Sequence, residues 1–118
     1  MKKTYTLLVL ILLIISCEKV NKNEFVIVVH GGAGTILKEK MSDELETAYK
    51  DKMKEALEAG YYILKTSGTS IDAVEAAIKI LEDSELFNAG RGSVLSNNEE
   101  VEMDASIMTG HNLNAGAI

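Results

Sequence analysis

Two short stretches of this chain gather residue types that do chemistry. His30, Gly31, Gly32, Ala33 and Gly34 come directly after an apolar run. A histidine there can carry or hold a proton, and a glycine loop at a strand end can aim backbone N–H groups at an oxyanion. The second stretch, residues 81–91, reads LEDSELFNAGR. A loop winding back just past a helix C-terminus offers carbonyl oxygens without helical partners, the ligand type a hard cation takes. Asn88 within it has a side chain that both donates and accepts.

Simpler roles compete with each of these. The glycines can merely turn the chain, and His30 can be a hydrogen-bonded core histidine. A dinucleotide fingerprint fails, because the run GAGTIL after Gly31 has no third glycine. A lipase-type oxyanion loop would need a G-x-S-x-G nucleophile turn, which the chain does not contain. Residues 81–91 can be an ordinary helix stop, and Asn88 can simply hold a left-handed turn. Asp104 is either a solvated acid or a buried group fixing a hairpin. Tyr61 and Tyr62 read as helix packing.

The elements that must position these residues follow from periodicity. Residues 25–29, FVIVV, are continuous, apolar and largely β-branched, the pattern of a strand buried on both faces. Residues 42–67 carry Leu45, Ala48, Tyr49, Met53, Ala56, Leu57, Ile63 and Leu64 at helical spacing, with Ser42 as N-cap and Gly68 as stop. Gly60 weakens that rod. Thr69 and Asp72 make a variant capping box for a second helix whose expected buried stripe is Ile71, Val74, Ile78 and Leu81. Residues 86–92 then form a loop. Residues 93–95, a turn at 96–98 and alternating Val101, Met103, Ala105 and Ile107 predict a hairpin with one face on the core. A second turn at 111–114 leads into a strand at 115–118. A strand, a helix pair and a meander make an α/β layered sheet with helices on one face.

The first residues read as targeting signal. Lys2 and Lys3 precede an apolar run at 5–15, and Ile14, Ile15, Ser16, Cys17 form a lipobox. The run is short of the ~20 residues a spanning helix needs. Residues 1–16 are therefore expected to be a lipoprotein signal peptide. Cys17, the sole cysteine, becomes the lipidation site, and residues 17–24 become a polar tether. That predicts an extracytoplasmic, membrane-anchored protein, in the periplasm or at the cell surface. With 12 Lys and Arg against 18 Asp and Glu, the net charge is −6, which argues against a nucleic-acid partner.

Taken together, VIVVHGGAGTI and LFNAGRGSVLSNNEEVEMDASIM resemble, in order and spacing, the N-terminal half of plant-type L-asparaginases, also called isoaspartyl peptidases. Those are N-terminal nucleophile hydrolases. The resemblance implies that residues 25–118 are the truncated N-terminal portion of a four-layer αββα sandwich. It implies a catalytic threonine in a downstream Gly-Thr-Val-Gly-type segment, freed by autocatalytic cleavage. Thr35, Thr66, Thr69 and Thr109 match no such motif. No catalytic residue is thus expected in this chain, and the chain alone is expected to be inactive.

Residue by residue, the resemblance gives His30, Gly31, Gly32 and Asn88 active-site support roles. It gives the backbone carbonyls of Leu81, Glu82, Ser84, Phe87, Ala89 and Arg91 a structural sodium ion, with no other cofactor. Ser84 and Glu85 depart from residues some members carry there, cysteine and proline, which backbone ligation tolerates. The implied substrates are L-asparagine or β-aspartyl peptides, and the implied partners are the C-terminal half and a second processed protomer. Two alternatives stand beside this: another hydrolase using residues 30–34 as an oxyanion loop, or a non-catalytic lipoprotein remnant.

Overall fold

The computed structural model describes residues 25–33 and 37–118. The signal peptide, Cys17 and the tether expected at residues 1–24 lie outside the described residues, as do Gly34, Thr35 and Ile36. Among the described residues no helix is long and apolar enough to cross a membrane.

Two helices form the centre. Helix α1 spans Asp43–Lys65 and helix α2 spans Ser70–Glu82. Ser42 caps α1, its Oγ accepting from the Leu45 N–H at 3.2 Å. Thr69 caps α2, accepting from the Asp72 N–H at 3.1 Å, while its hydroxyl donates to the Asp72 carboxylate at 2.7 Å. The box closes through the threonine hydroxyl, not the backbone N–H that a Glu would reach, because Asp is one methylene shorter.

The end of α1 differs from the glycine stop expected. Ser67 takes the left-handed conformation, φ 66°, and Gly68 follows it. Gly68 N–H bonds Ile63 O at 2.8 Å and Ser67 N–H bonds Leu64 O at 3.1 Å, the paired bonds of a Schellman motif. Gly60 does not interrupt α1. A Cβ there would lie 2.3 Å from Ile27 Cδ1 and 2.9 Å from the Ala73 carbonyl oxygen. Gly60 is thus a point where both α2 and the extended segment before α1 pack close against α1.

Close approach of the helices also corrects the stripe expected on α2. The buried positions are Ala73, Ala77 and Leu81, with Ile80 partly buried, while Val74 and Ile78 are exposed. Apolar residues occupy more than one face of α2, and the small alanines are the ones that let the backbones meet. Ala56, Ala77, Leu81 and Phe87 form the core, bordered by Ile27, Val29, Tyr49, Met53, Ile80 and Leu86.

Residues 25–29 are extended but pair with no strand among the described residues. Burial alternates along them: Phe25, Ile27 and Val29 face the helices, while Val26 and Val28 are 86% and 83% exposed. The expectation of a strand buried on both faces is therefore corrected to one covered on one face. The Phe25 ring lies 5.2 Å from that of Tyr61, so Tyr61 does pack; Tyr62 is exposed.

The expected hairpin over residues 93–107 is also corrected. Only its turn closes, Ser96 N–H bonding Glu100 O at 2.8 Å with Glu99 at φ 62°. The ladder forms one turn later. Strand β1, Ser106–Met108, runs antiparallel to β2, Ala115–Ala117, pairing Ser106 with Ala117, Ile107 with Gly116 and Met108 with Ala115. Reciprocal bonds between Ala105 and Ile118 extend it. Both strands are exposed on both faces, so neither lies on the core. A lone two-stranded ribbon gains little from its backbone bonds, and residues 93–95, with Val94 and Leu95 exposed, have no third strand to join among the described residues. The described chain is thus α/β: a helix pair, an extended segment on its face, and a two-stranded ribbon.

Candidate functional site

The end of the extended segment delivers His30, Gly31, Gly32 and Ala33 to the N-terminal half of α1 and to the loop after α2. These elements line one cavity of about 990 Å³. His30, Gly31, Gly32 and Asn88 all lie on its wall, so the four side-chain and backbone groups expected to support a site do meet in space.

Gly31 is the point of contact. A Cβ there would sit 3.0 Å from Met53 Sδ and 3.4 Å from Phe87 Cε1. The peptide therefore rests on the α1 thioether and on the ring of the second loop, and a Cβ there would make the thioether give by a few tenths of an ångström. Gly32 adopts φ 101°, a backbone region that L side chains rarely enter. Its N–H donates to His30 Nδ1 at 3.2 Å. With Nδ1 accepting, a neutral His30 ring carries its proton on Nε2.

Asn88 does something other than occupy a left-handed turn; its φ is negative, and Gly90 holds the positive angle, φ 53°. The Asn88 side chain accepts from the Val94 N–H at 2.9 Å. It thereby clasps the exit of the loop to its entrance while still bordering the cavity.

The loop between these points winds tightly. Its last residues form a single 3-10 turn, Gly90–Gly92. A Cβ on Gly90 would fall 2.3 Å from the Glu82 carbonyl oxygen, and one on Gly92 would fall 2.1 Å from that of Phe87 and 2.8 Å from that of Glu85. Three main-chain oxygens thus press on these glycine positions, where any Cβ would force the backbone to shift. Of the carbonyls named from the resemblance, that of Leu81 accepts from Ser84 N–H at 3.1 Å, Phe87 from Ala89 N–H at 2.8 Å, and Ala89 from Gly92 N–H at 3.2 Å. The Phe87 and Ala89 carbonyls each retain a second lone pair, while that of Leu81 also takes the Asp83 N–H. The carbonyls of Glu82, Ser84 and Arg91 take no loop bond among the described residues. Ser84 is buried, its Oγ accepting from Leu86 N–H at 3.3 Å, and the Arg91 side chain is exposed. At the loop's exit Ser93 Oγ is buried without a hydrogen-bond partner among the described residues. No three His, Cys, Asp or Glu side chains converge among the described residues. The oxygens this loop offers are neutral carbonyls, the ligand type a hard cation takes.

Helix α1 supplies cavity residues that motif reading passed over. Tyr49 meets Phe87 edge to face, ring centroids 5.5 Å apart at 82°. Met53 lies under Gly31. Both were visible only as ordinary positions of an amphipathic stripe. Nearer the solvent, Lys50 bonds the Glu46 carboxylate. That bond, and then the charge of Lys38, hold Glu46 below the usual carboxylate range. Asp104 is exposed in the stretch leading to β1, the solvated alternative.

Comparison with known proteins matches the sequence that carries these loops to a family. Residues 23–118 match the family model described as asparaginase. The chain is 51% identical over 96 residues to an isoaspartyl peptidase/L-asparaginase from Homo sapiens, covering 81% of this chain and 30% of that one. It is 52% identical over 92 residues to a plant-type L-asparaginase from Pyrococcus abyssi, covering 78% and 28%. A putative isoaspartyl peptidase/L-asparaginase from Dictyostelium discoideum is 48% identical over 93 residues, covering 79% and 27%. The chain thus spans less than a third of the length of these relatives. Since the family match takes in both loops and everything between them, the chain belongs to the asparaginase family, alongside proteins named plant-type L-asparaginase and isoaspartyl peptidase.

Proposed function

We propose that this chain is the N-terminal portion of an L-asparaginase or isoaspartyl peptidase. That enzyme would hydrolyse L-asparagine or β-aspartyl peptides to aspartate through an N-terminal threonine that this chain does not carry. In such an enzyme the threonine's freed amine is the base for its own hydroxyl, and the acyl-enzyme is released by water. The observation that supports this reading best is the seating of Gly31 on Phe87 and Met53, which joins the glycine loop and the Asn88 loop into one wall.

In this reading each residue has a positioning task. Gly31 and Gly32 present main chain to the nucleophile-bearing segment, and His30 keeps the Gly32 peptide oriented through Nδ1. Asn88 fixes the loop through Val94 and faces the same space. The carbonyls of Leu81, Glu82, Ser84, Phe87, Ala89 and Arg91 would hold a sodium ion. That ion supplies a fixed charge for the loop carbonyls to wrap, and no bond-breaking step. The whole assembly is a four-layer αββα sandwich, in which Val26 and Val28 become interior, and it works as a homodimer of processed protomers. Residues 1–16 direct export, Cys17 carries the lipid anchor and residues 17–24 hold the domain off an extracytoplasmic membrane face. The 118-residue chain by itself does not hydrolyse these substrates.

A chimera tests the reading. Residues 25–118 replace the matching stretch of the Pyrococcus abyssi relative, and the product is assayed for self-cleavage and aspartate release. Both are expected. A chimera that folds yet neither cleaves nor releases aspartate would overturn the assignment.

A further inference from the structure

We propose that Phe87 is a positioning residue that mechanically couples the loop at residues 81–92 to the glycine loop at residues 30–33, so that a distortion in either is felt in the other. The inference deepens the reading above, since it rests on these two loops forming one active-site wall.

Phe87 belongs to both loops at once. Its backbone is part of the tight turn, the carbonyl accepting from Ala89 N–H at 2.8 Å and lying where a Cβ on Gly92 would fall, 2.1 Å away. The residue is only 5% exposed, and its ring forms, with Met53, the floor under Gly31. The ring is held on several sides and borders the cavity on another. Tyr49 stands edge-on against it at 5.5 Å, and Ala56, Ala77 and Leu81 complete its surroundings. A buried aromatic at native packing density transmits displacement rather than absorbing it. When the turn moves the Phe87 main chain, the ring must push on Gly31, whose peptide leads into the Gly32 N–H bonded to His30. No hydrogen bond joins the two loops among the described residues, which leaves this contact as the described direct link.

Coupling of this kind is reciprocal by linkage, and that makes it testable in the chain as it stands, without activity. The readout is amide hydrogen exchange by NMR. Gly92→Ala, which drives a methyl into the Phe87 carbonyl, is expected to speed exchange at Gly31 and Gly32 by roughly threefold or more, the range for residues in contact. Gly31→Ala is expected to do the same at Ala89 and Gly92. Amides at Ala56 and Ala77 should keep their protection in both variants. In a Phe87→Leu background, where the ring's reach is gone but the apolar volume is largely kept, neither response should remain.

Unchanged exchange at Gly31 and Gly32 in Gly92→Ala, or a response that persists with Phe87→Leu, would overturn the proposal. If Phe87→Leu unfolds the helix pair, Met53→Leu serves instead. It alters only the thioether half of the floor, and the reciprocal responses should survive it if Phe87 is the carrier and vanish if Met53 is. Sodium-nucleus NMR on the same samples keeps the readings apart. Failure of the chain to bind sodium would count against the cation assignment, while the exchange responses alone decide the role of Phe87.

Discussion

At the residue scale, single positions hold the most compact physics. Ser67 takes a left-handed angle that costs an L side chain roughly 1–2 kcal/mol, so Ser67→Gly is expected to stabilise the chain by about 1 kcal/mol, read from urea unfolding. Glu44, in the first turn of α1, is held below the ordinary carboxylate value of 4.5 by its own backbone N–H and then by Ser42. The unfolded chain therefore takes up this proton first on acidification. The stabilisation is complete above about 4.5 and is lost as pH falls through the lowered folded value. Glu44→Gln should flatten the acid limb of a thermal-melt series from neutral to acidic pH, and an unchanged slope would refute the account. Asn88→Ala removes the acceptor for the Val94 N–H. It should cost about 1 kcal/mol and raise amide exchange at Val94 specifically.

At the element scale, Gly60 decides how near the helices come. Alanine there gains about 1 kcal/mol of helix propensity, yet it meets Ile27 and the Ala73 carbonyl. Overpacking of this kind costs about 1–3 kcal/mol, so Gly60→Ala is expected to be destabilising despite the better helix former. The helices, their caps and the loop after α2 were legible in the sequence, because a 3.6-residue period and a capping serine or threonine are local signals. The role of Gly60 was not, since a propensity scale registers only its cost. The buried stripe of α2 was misread for a related reason: Val74 and Ile78 outweigh Ala73 and Ala77 in any hydrophobicity count, while backbone approach favours the alanines. Residues 93–107 satisfied a strand pattern, yet a strand exists only through its partner, and the partner of β1 proved to be residues 115–118. The meeting of Gly31 with Phe87 across more than fifty residues had no local signal; only the family resemblance put the two loops together.

At the scale of the whole molecule, two kinds of surface coexist. The helix pair is closed on one side, while Val26, Val28, Val94, Leu95, Met103, Met108, Leu113 and Ile118 remain exposed, and among the described residues β1 and β2 each have an unpaired edge. Apolar patches and open edges of this sort promote association. Residues 25–118 are expected to self-associate with rising concentration in sedimentation velocity, and Val26→Thr with Val28→Thr should reduce it; a monomer at every concentration would contradict this. The short link between α1 and α2 also sets an order of events during synthesis. Contacts between neighbours in sequence form faster than those between distant segments, and chains fold from the N-terminus as they emerge. The helical hairpin should therefore close on the ribosome, with residues 25–29 laid against it, while Val26 and Val28 are still bare. A nascent chain in that state presents one folded half and one adhesive strip, the form in which a holding chaperone would meet it.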